Sequence, residues 1–139
     1  ELLFTLPIRP LQAVLGKYVA ALLLYVYMGI AVGHARVKHN IPAPTMAGNP
    51  DFERVVRVQM NTLEWLPVFI AALWMCASYW DARIVALGGV AWVVGRVIYM
   101  QTYSKGENRS LGFSIQGLAV LALTIGAVVG AIMNLVSGV

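Results

Sequence analysis

The chain alternates between long apolar stretches and short polar connections. Each apolar stretch exceeds twenty residues, which as a helix rising 1.5 Å per residue is enough to cross a hydrocarbon core of roughly 30 Å. Helices also satisfy their backbone hydrogen bonds internally, as a bilayer requires. The pattern predicts an all-α integral membrane protein, a four-helix bundle subunit with spans at about residues 12–35, 51–79, 83–104 and 111–136.

Composition supports a membrane protein with one domain. Of the 139 residues, 60% are hydrophobic and only 12% are charged, whereas about a quarter of the residues in a soluble domain are charged. The polar connections, at 40–50, 80–82 and 104–110, are too short to hold a second domain. We therefore expect a single transmembrane domain over residues 1–139.

The first dozen residues precede the first predicted span and contain Pro7 and Pro10. They have neither the basic start nor the small-residue cleavage site of a secretory signal peptide. We interpret them as a lead-in segment at the membrane interface.

The distribution of cations predicts an orientation. The first and third connections, with their helix ends, contain seven cations: Arg36, Lys38, Arg54, Arg57, Arg96, Lys105 and Arg109. The opposite side contains three: Arg9, Lys17 and Arg83. Because cytoplasmic loops of membrane proteins are enriched in Lys and Arg, the first side is expected in the cytoplasm. We expect a multi-pass protein of a bacterial inner membrane.

Two spans contain polar stripes at helical spacing. Arg57, Asn61 and Glu64 are spaced i, i+4 and i+7 on the second span, so they share one face. The third span repeats such a stripe with one cation and two phenols: Arg96, Tyr99 and Tyr103. Both stripes lie toward the same membrane face, with the third connection and its Arg109 nearby. We expect the two stripes to meet.

Two interpretations of the stripes compete. Arg57 and Glu64 would form a structural ion pair in one, with the tyrosines as an interfacial belt. In the other they line a pocket for a charged ligand. Charges at membrane depth are costly, and one pair suffices for structure, so the larger polar set favours a pocket. Several arginines with one carboxylate suit a ligand that has two carboxylates and an ammonium. Glutathione is such a ligand, although charge alone does not single it out.

Other classes of function find less support. The formal net charge of +4 comes without a basic run, so no nucleic-acid partner is expected. One cysteine and two histidines near a connection do not make a metal site. A small transporter that uses Arg57 and Glu64 as a translocation pair stays as a third alternative.

Two segments resemble a known family. FERVVRVQMNTLEWLPVFIAALW (52–74) and GRVIYMQTYSKGENRSLGF (95–113) are similar to the MAPEG family, the membrane-associated proteins in eicosanoid and glutathione metabolism. The resemblance is strongest to the branch of microsomal glutathione transferases and leukotriene-C synthases, and covers about residues 34–125. Arg57, Asn61 and Glu64 match that branch's Arg-x3-Asn-x2-Glu pattern, and Tyr99 and Tyr103 match its tyrosine pair.

The resemblance implies a homotrimer that binds glutathione between subunits near one membrane face. It implies a membrane-bound glutathione S-transferase that joins glutathione, as co-substrate, to a hydrophobic electrophile. Glutathione peroxidase activity toward lipid hydroperoxides in the membrane lipid is a further expectation, and no metal is expected. The alternative is a non-catalytic lipid-binding scaffold of the same family.

The resemblance also assigns residues. Arg109 is expected to be catalytic, as the cation that activates the thiol. The predicted glutathione-binding residues are Arg36, Arg57, Gln59, Asn61, Glu64, Trp65, Arg96, Tyr99 and Tyr103. Of these, Gln59 is expected to reach the ligand bound to a neighbouring subunit, and Arg36 to reach a carboxylate.

The chain departs from the family pattern at three positions. Trp65 replaces a tyrosine, which keeps the ring but removes the phenol. Val37 stands where the leukotriene synthase has a second arginine. Ser110 occupies the position, seven residues after the second tyrosine, where the catalytic arginine is expected, so that role passes to Arg109.

Overall fold

The structure is a computed structural model that describes residues 8–138 and places four helices in them. These are α1 (Ile8–His39), α2 (Pro50–Tyr79), α3 (Ala82–Ser104) and α4 (Ser110–Ser137). All four contain segments long and apolar enough to cross a membrane, so the predicted all-α, four-span architecture is confirmed. Residues 1–7, the first part of the predicted lead-in segment, lie outside the described residues. The remainder of that segment already belongs to α1, which begins at Ile8.

Side chains at the helix starts fix where two of the helices begin. Asn49 caps α2, because its side chain accepts hydrogen bonds from the backbone N–H groups of Asp51 and Phe52 at 2.9 and 3.2 Å. Asp81 caps α3 by accepting from the backbone N–H of Arg83 at 2.8 Å. Helices α2, α3 and α4 begin within one residue of the predicted spans, whereas α1 begins at Ile8, four residues before the predicted start at 12, and continues to His39, past the predicted end at 35.

Helices α3 and α4 approach each other through glycines. A Cβ added at Gly95 would lie 2.7 Å from the backbone nitrogen of Gln116. One added at Gly112 would lie 2.7 Å from the carbonyl oxygen of Gly95 and collide with the backbone nitrogen of Tyr99. Small residues at such contacts let membrane helices pack closely. This contact fixes where α4 lies relative to Tyr99 in the polar stripe of α3.

Gly112→Ala is expected to lower the free energy of unfolding by about 1–3 kcal/mol, because the added methyl meets backbone atoms that cannot move aside. Gly117→Ala is the matched control, since no described atom lies within 4 Å of a Cβ there. The control should be neutral or stabilising by up to about 1 kcal/mol, as alanine is the better helix former. Thermal unfolding in detergent measures both, and equal effects would refute the close contact.

The core beneath the polar region is aromatic and aliphatic. Phe69 of α2 and Trp92 of α3 stack with ring centroids 4.0 Å apart, and both are fully buried. Offset or stacked ring pairs of this kind add to the energy of apolar burial. This pair ties α2 to α3 at the depth where their polar stripes begin.

The first and third connections lie at the same end of the bundle. Gly106 has a φ of 78° and lies beside the Arg54 guanidinium, whose carbon is 3.5 Å from where a Cβ of Gly106 would be. Arg54 also pairs with Asp51 at the start of α2. The connection that leads to Arg109 is thus placed next to the start of α2.

Candidate functional site

A hydrogen-bonded network joins the polar stripes of α2 and α3. Arg57 Nη1 lies 3.5 Å from Glu64 Oε1, and Asn61 Nδ2 donates to Glu64 Oε2 at 3.1 Å. Arg96 Nη1 donates to Asn61 Oδ1 at 2.9 Å. The prediction that the two stripes meet is therefore confirmed, and Asn61 is where they meet. We call these four residues the polar network.

Arg96 fixes the orientation of the Asn61 amide. Because a guanidinium only donates, the Asn61 oxygen must face Arg96, which leaves the Asn61 nitrogen free to donate to Glu64. Arg96 is itself fully buried, with its guanidinium carbon 5.5 Å from the Trp92 ring centroid and 5.2 Å from that of Tyr99. Such aromatic faces stabilise a desolvated cation. Asn61 is held in one orientation by this arrangement.

The tyrosines extend the polar network toward the third connection. The rings of Tyr99 and Tyr103 stack with centroids 5.6 Å apart. The Arg109 guanidinium carbon lies 4.9 Å from the Tyr103 ring centroid. Arg109 precedes α4 directly, and its side chain makes no capping hydrogen bond there. Its cation is therefore placed by a ring of the stripe rather than by the helix it precedes.

Two side chains of α4 were missed by the sequence analysis. Phe113 packs edge-on against Trp65 with centroids 6.1 Å apart and lies 6.4 Å from the Tyr99 ring, so it joins the predicted Trp65 to the tyrosines. Gln116 is fully buried, and neither polar atom of its side chain has a partner among the described residues. A glutamine inside an apolar span is itself a signal that favours function, whereas nothing in the sequence marked Phe113.

The remaining predicted residues lie apart from the polar network. Arg36 donates to the carbonyl oxygens of Pro42 and Thr45 in the first connection, and its guanidinium carbon is 5.0 Å from the Phe52 ring centroid. Gln59 faces α1, with Nε2 3.2 Å from where a Cβ of Gly29 would be. The chain therefore brings Arg57, Asn61, Glu64, Arg96, both tyrosines, Trp65 and Arg109 together, but not Arg36 or Gln59.

One edge of the polar network is open. The side chains of Arg57 and Glu64 each expose 52% of their surface, while Asn61 is half-buried and Arg96 is fully buried. A charged pair at the mouth, backed by a fixed amide and a buried cation, is suited to bind a ligand with charges of both signs. Within the described residues, no group of three His, Cys, Asp or Glu side chains is placed to hold a metal ion.

Comparison with known proteins places the chain among membrane proteins of related sequence. A family model, described as the MAPEG family, matches residues 14–129. An uncharacterized protein of Synechocystis is 41% identical over 116 residues, which cover 83% of this chain and 85% of that protein. The match to the family runs from α1 into α4 and contains every residue of the polar network.

Two relatives have names that describe an activity. Human microsomal glutathione S-transferase 2 is 38% identical over 98 residues, which cover 70% of this chain and 66% of that protein. Leukotriene C4 synthase of Cavia porcellus is 36% identical over 89 residues, which cover 64% of this chain and 59% of the synthase. The aligned part thus spans less than two thirds of each of these two proteins, 66% of the transferase and 59% of the synthase.

Proposed function

The chain belongs to the MAPEG family, and on that premise we propose that it is a membrane-bound glutathione S-transferase. It would join the thiolate of glutathione, its co-substrate, to hydrophobic electrophiles dissolved in the membrane lipid. The observation that carries the proposal is the polar network, with Arg57 and Glu64 at an open edge and Asn61 fixed behind them. The names of the two related proteins, a glutathione S-transferase and a leukotriene C4 synthase, support the same chemistry.

The charges of the site match those of glutathione. The tripeptide has two carboxylates, one ammonium and a thiol. Arg57 offers a guanidinium fork to a carboxylate, and Glu64 offers a carboxylate to the ammonium. The Arg57–Glu64 separation of 3.5 Å is a loose ion pair, so a ligand can replace it without breaking a short hydrogen bond. Arg96 acts from behind as a positioning residue, since it reaches the mouth of the site through Asn61.

Arg109 is proposed as the catalytic residue. A free thiol has a pKa of about 8.5, so it is mostly protonated at neutral pH, whereas the thiolate is the nucleophile. A nearby guanidinium stabilises the anion and lowers the thiol pKa. The thiol proton leaves to water, the sulfur forms a bond to an electrophilic carbon, and the leaving group departs with its electron pair. A shift of two pKa units corresponds to about 2.7 kcal/mol.

The same thiolate supports a second activity, glutathione peroxidase activity on lipid hydroperoxides. The sulfur attacks the terminal peroxide oxygen, which releases a lipid alcohol and leaves a sulfenic acid on glutathione. A second glutathione then displaces water to form the disulfide. Both reactions need the same placement, a water-soluble thiol at the edge of the lipid phase. That placement suits an inner-membrane protein with its first and third connections on the cytoplasmic side.

We propose that the active assembly is a homotrimer. A lone chain leaves half of Arg57 and Glu64 exposed at one flank, which is costly at membrane depth. Arg36 and Gln59 lie apart from the chain's own polar network, and we propose that in the trimer they face the ligand held by a neighbouring subunit. Native mass spectrometry of solubilised protein is expected to give three chains per particle, and active monomers would contradict this.

The function is tested by adding purified protein to glutathione and a generic aromatic electrophile such as 1-chloro-2,4-dinitrobenzene. Conjugation well above the spontaneous rate is expected, and it should fall with Arg57→Ala. Absence of conjugation together with tight lipid binding would instead identify the non-catalytic scaffold. Reduction of a lipid hydroperoxide in the same preparation separates peroxidase from transferase activity.

A further inference from the structure

A groove opens between α1 and the end of α3, with α2 as its floor. Its wide mouth has a volume of about 800 Å³, and a narrower extension of about 250 Å³ continues from it. The two parts share lining residues, Tyr27, Ala31, Val55, Ser104 and Lys105. Neither part is lined by a residue of the polar network, by Tyr99 or Tyr103, or by Arg109. The groove is therefore separate from the glutathione site proposed above.

The mouth of the groove is basic. It is lined by two lysines and two histidines: His34, Lys38, His39 and Lys105. Among the described residues of the lining the one carboxylate, that of Asp51, already pairs with Arg54. Both lysines are exposed, so the long side chains of Lys38 in α1 and of Lys105 just after the end of α3 can reach a ligand from opposite sides of the mouth. The mouth offers a strong attraction for an anion.

The extension of the groove is apolar. Met28 of α1, Val58 of α2 and Met100 of α3 line it, and the first two expose only 1% and 2% of their surface. Methionine side chains are flexible and polarisable, which suits them to contact an alkyl chain. Because these residues lie further along their helices from the connections than Lys38 and Lys105, the basic mouth is at the membrane face and the apolar extension is at bilayer depth.

We propose that this groove binds an anionic phospholipid. The phosphate would lie between Lys38 and Lys105, and one acyl chain would occupy the extension against Met28, Val58 and Met100. A small soluble anion would use the mouth but none of the apolar lining. A second copy of the chain in the same orientation would bring its own cationic end to this basic mouth, which complements the mouth less well than a phosphate does. The proposal does not depend on the proposed enzymatic function.

Native mass spectrometry tests the proposal on the whole protein, supplied with equal amounts of phosphatidylglycerol and phosphatidylcholine. The wild-type chain is expected to retain at least about ten times as much phosphatidylglycerol as phosphatidylcholine. Lys38→Gln combined with Lys105→Gln should abolish that preference, since each cation near an anionic headgroup contributes about fivefold. Arg83→Gln removes an exposed cation from the opposite end of the bundle and should leave the preference unchanged. An equal loss of the phosphatidylglycerol preference in the double variant and in Arg83→Gln would contradict binding at this groove.

Two further arms exclude other occupants. Glycerol phosphate, which has the headgroup anion without chains, should fail to displace the retained lipid; displacement would make this a site for a soluble anion. Ala31→Trp fills the groove where its two parts join, and should reduce lipid retention without changing the number of chains per particle. A smaller particle would show that the groove is a contact between copies, which overturns the lipid site. Conjugation activity is followed in parallel, because its absence in the wild type refutes the proposed enzyme without affecting the lipid count.

Discussion

Arg57→Ala is expected to weaken glutathione binding by about 2–3 kcal/mol, or roughly 30- to 150-fold. The variant removes the fork for a ligand carboxylate and leaves Glu64 without its cation. Glu64→Gln keeps the shape of the side chain but removes the charge that receives the ammonium, and should weaken binding by a similar factor. Calorimetric titration of detergent-solubilised protein with glutathione measures both.

The matched control for these variants is Arg54→Gln. Arg54 lies one turn before Arg57 on the same helix, but it pairs with Asp51 and makes no contact with the polar network. Its loss removes the same charge from the same membrane face and should change glutathione affinity by less than about threefold. Unchanged binding in both Arg57→Ala and Glu64→Gln would exclude the polar network as the glutathione site. An equal loss of glutathione affinity in all three variants would mean that the polar network contributes only general electrostatic attraction.

Arg109→Ala is expected to lower kcat/KM for conjugation by about twentyfold at pH 7 while weakening glutathione affinity at that pH by only about fourfold, which is the loss that a two-unit rise in the pKa of the bound thiol itself implies. If Arg109 lowers the pKa of the bound thiol by two units from about 8.5, most of the bound glutathione is thiolate at pH 7. Without the cation, only a few per cent of the bound glutathione is thiolate at that pH. The pH profile of kcat/KM is the measurement, since it reports the ionisation that controls the reaction.

Because Arg109 is proposed to act by lowering the thiol pKa, the loss of rate in Arg109→Ala should depend on pH in a defined direction. A pKa lowered by two units multiplies the thiolate fraction by about a hundredfold below the lowered value and by almost nothing above the ordinary value, so the defect of Arg109→Ala should shrink as the pH rises and nearly vanish by about pH 9.5. Arg109→Lys should recover part of the rate, because an ammonium supplies the charge without the planar fork. Ser110→Ala, at the adjacent position, should behave as wild type. A defect that is constant across pH would refute thiol activation by Arg109.

The sequence predicted correctly those features that depend on a single helix, namely which residues share one of its faces and where it crosses the membrane. Arg57, Asn61 and Glu64 share a face because of helical periodicity alone, and the spans follow from apolar length. Apolar length marks what crosses the bilayer rather than where a helix ends, and α1 therefore runs past residue 35 through the polar residues up to His39. The sequence was less informative wherever two helices must be placed relative to each other.

The link between the stripes shows what the sequence left open. Periodicity put Arg96 on one face of α3, but its hydrogen bond to Asn61 depends on how α2 and α3 pack. Phe113 was missed for the same reason, because its contacts with Trp65 and Tyr99 require the close approach of α4 at Gly112. The roles proposed for Arg36 and Gln59 depend on the proposed contact between chains, which neither periodicity nor a single chain determines.

The central claim, that glutathione binds at the polar network and that Arg109 ionises its thiol there, is tested most directly by the near-ultraviolet absorption of the thiolate. Mixing wild-type protein with glutathione at neutral pH is predicted to produce a thiolate band that saturates with binding and disappears when an electrophile is added. Glu64→Gln, which weakens binding, should need a correspondingly higher glutathione concentration to give the same band. Saturating binding by calorimetry with no thiolate band would contradict the account.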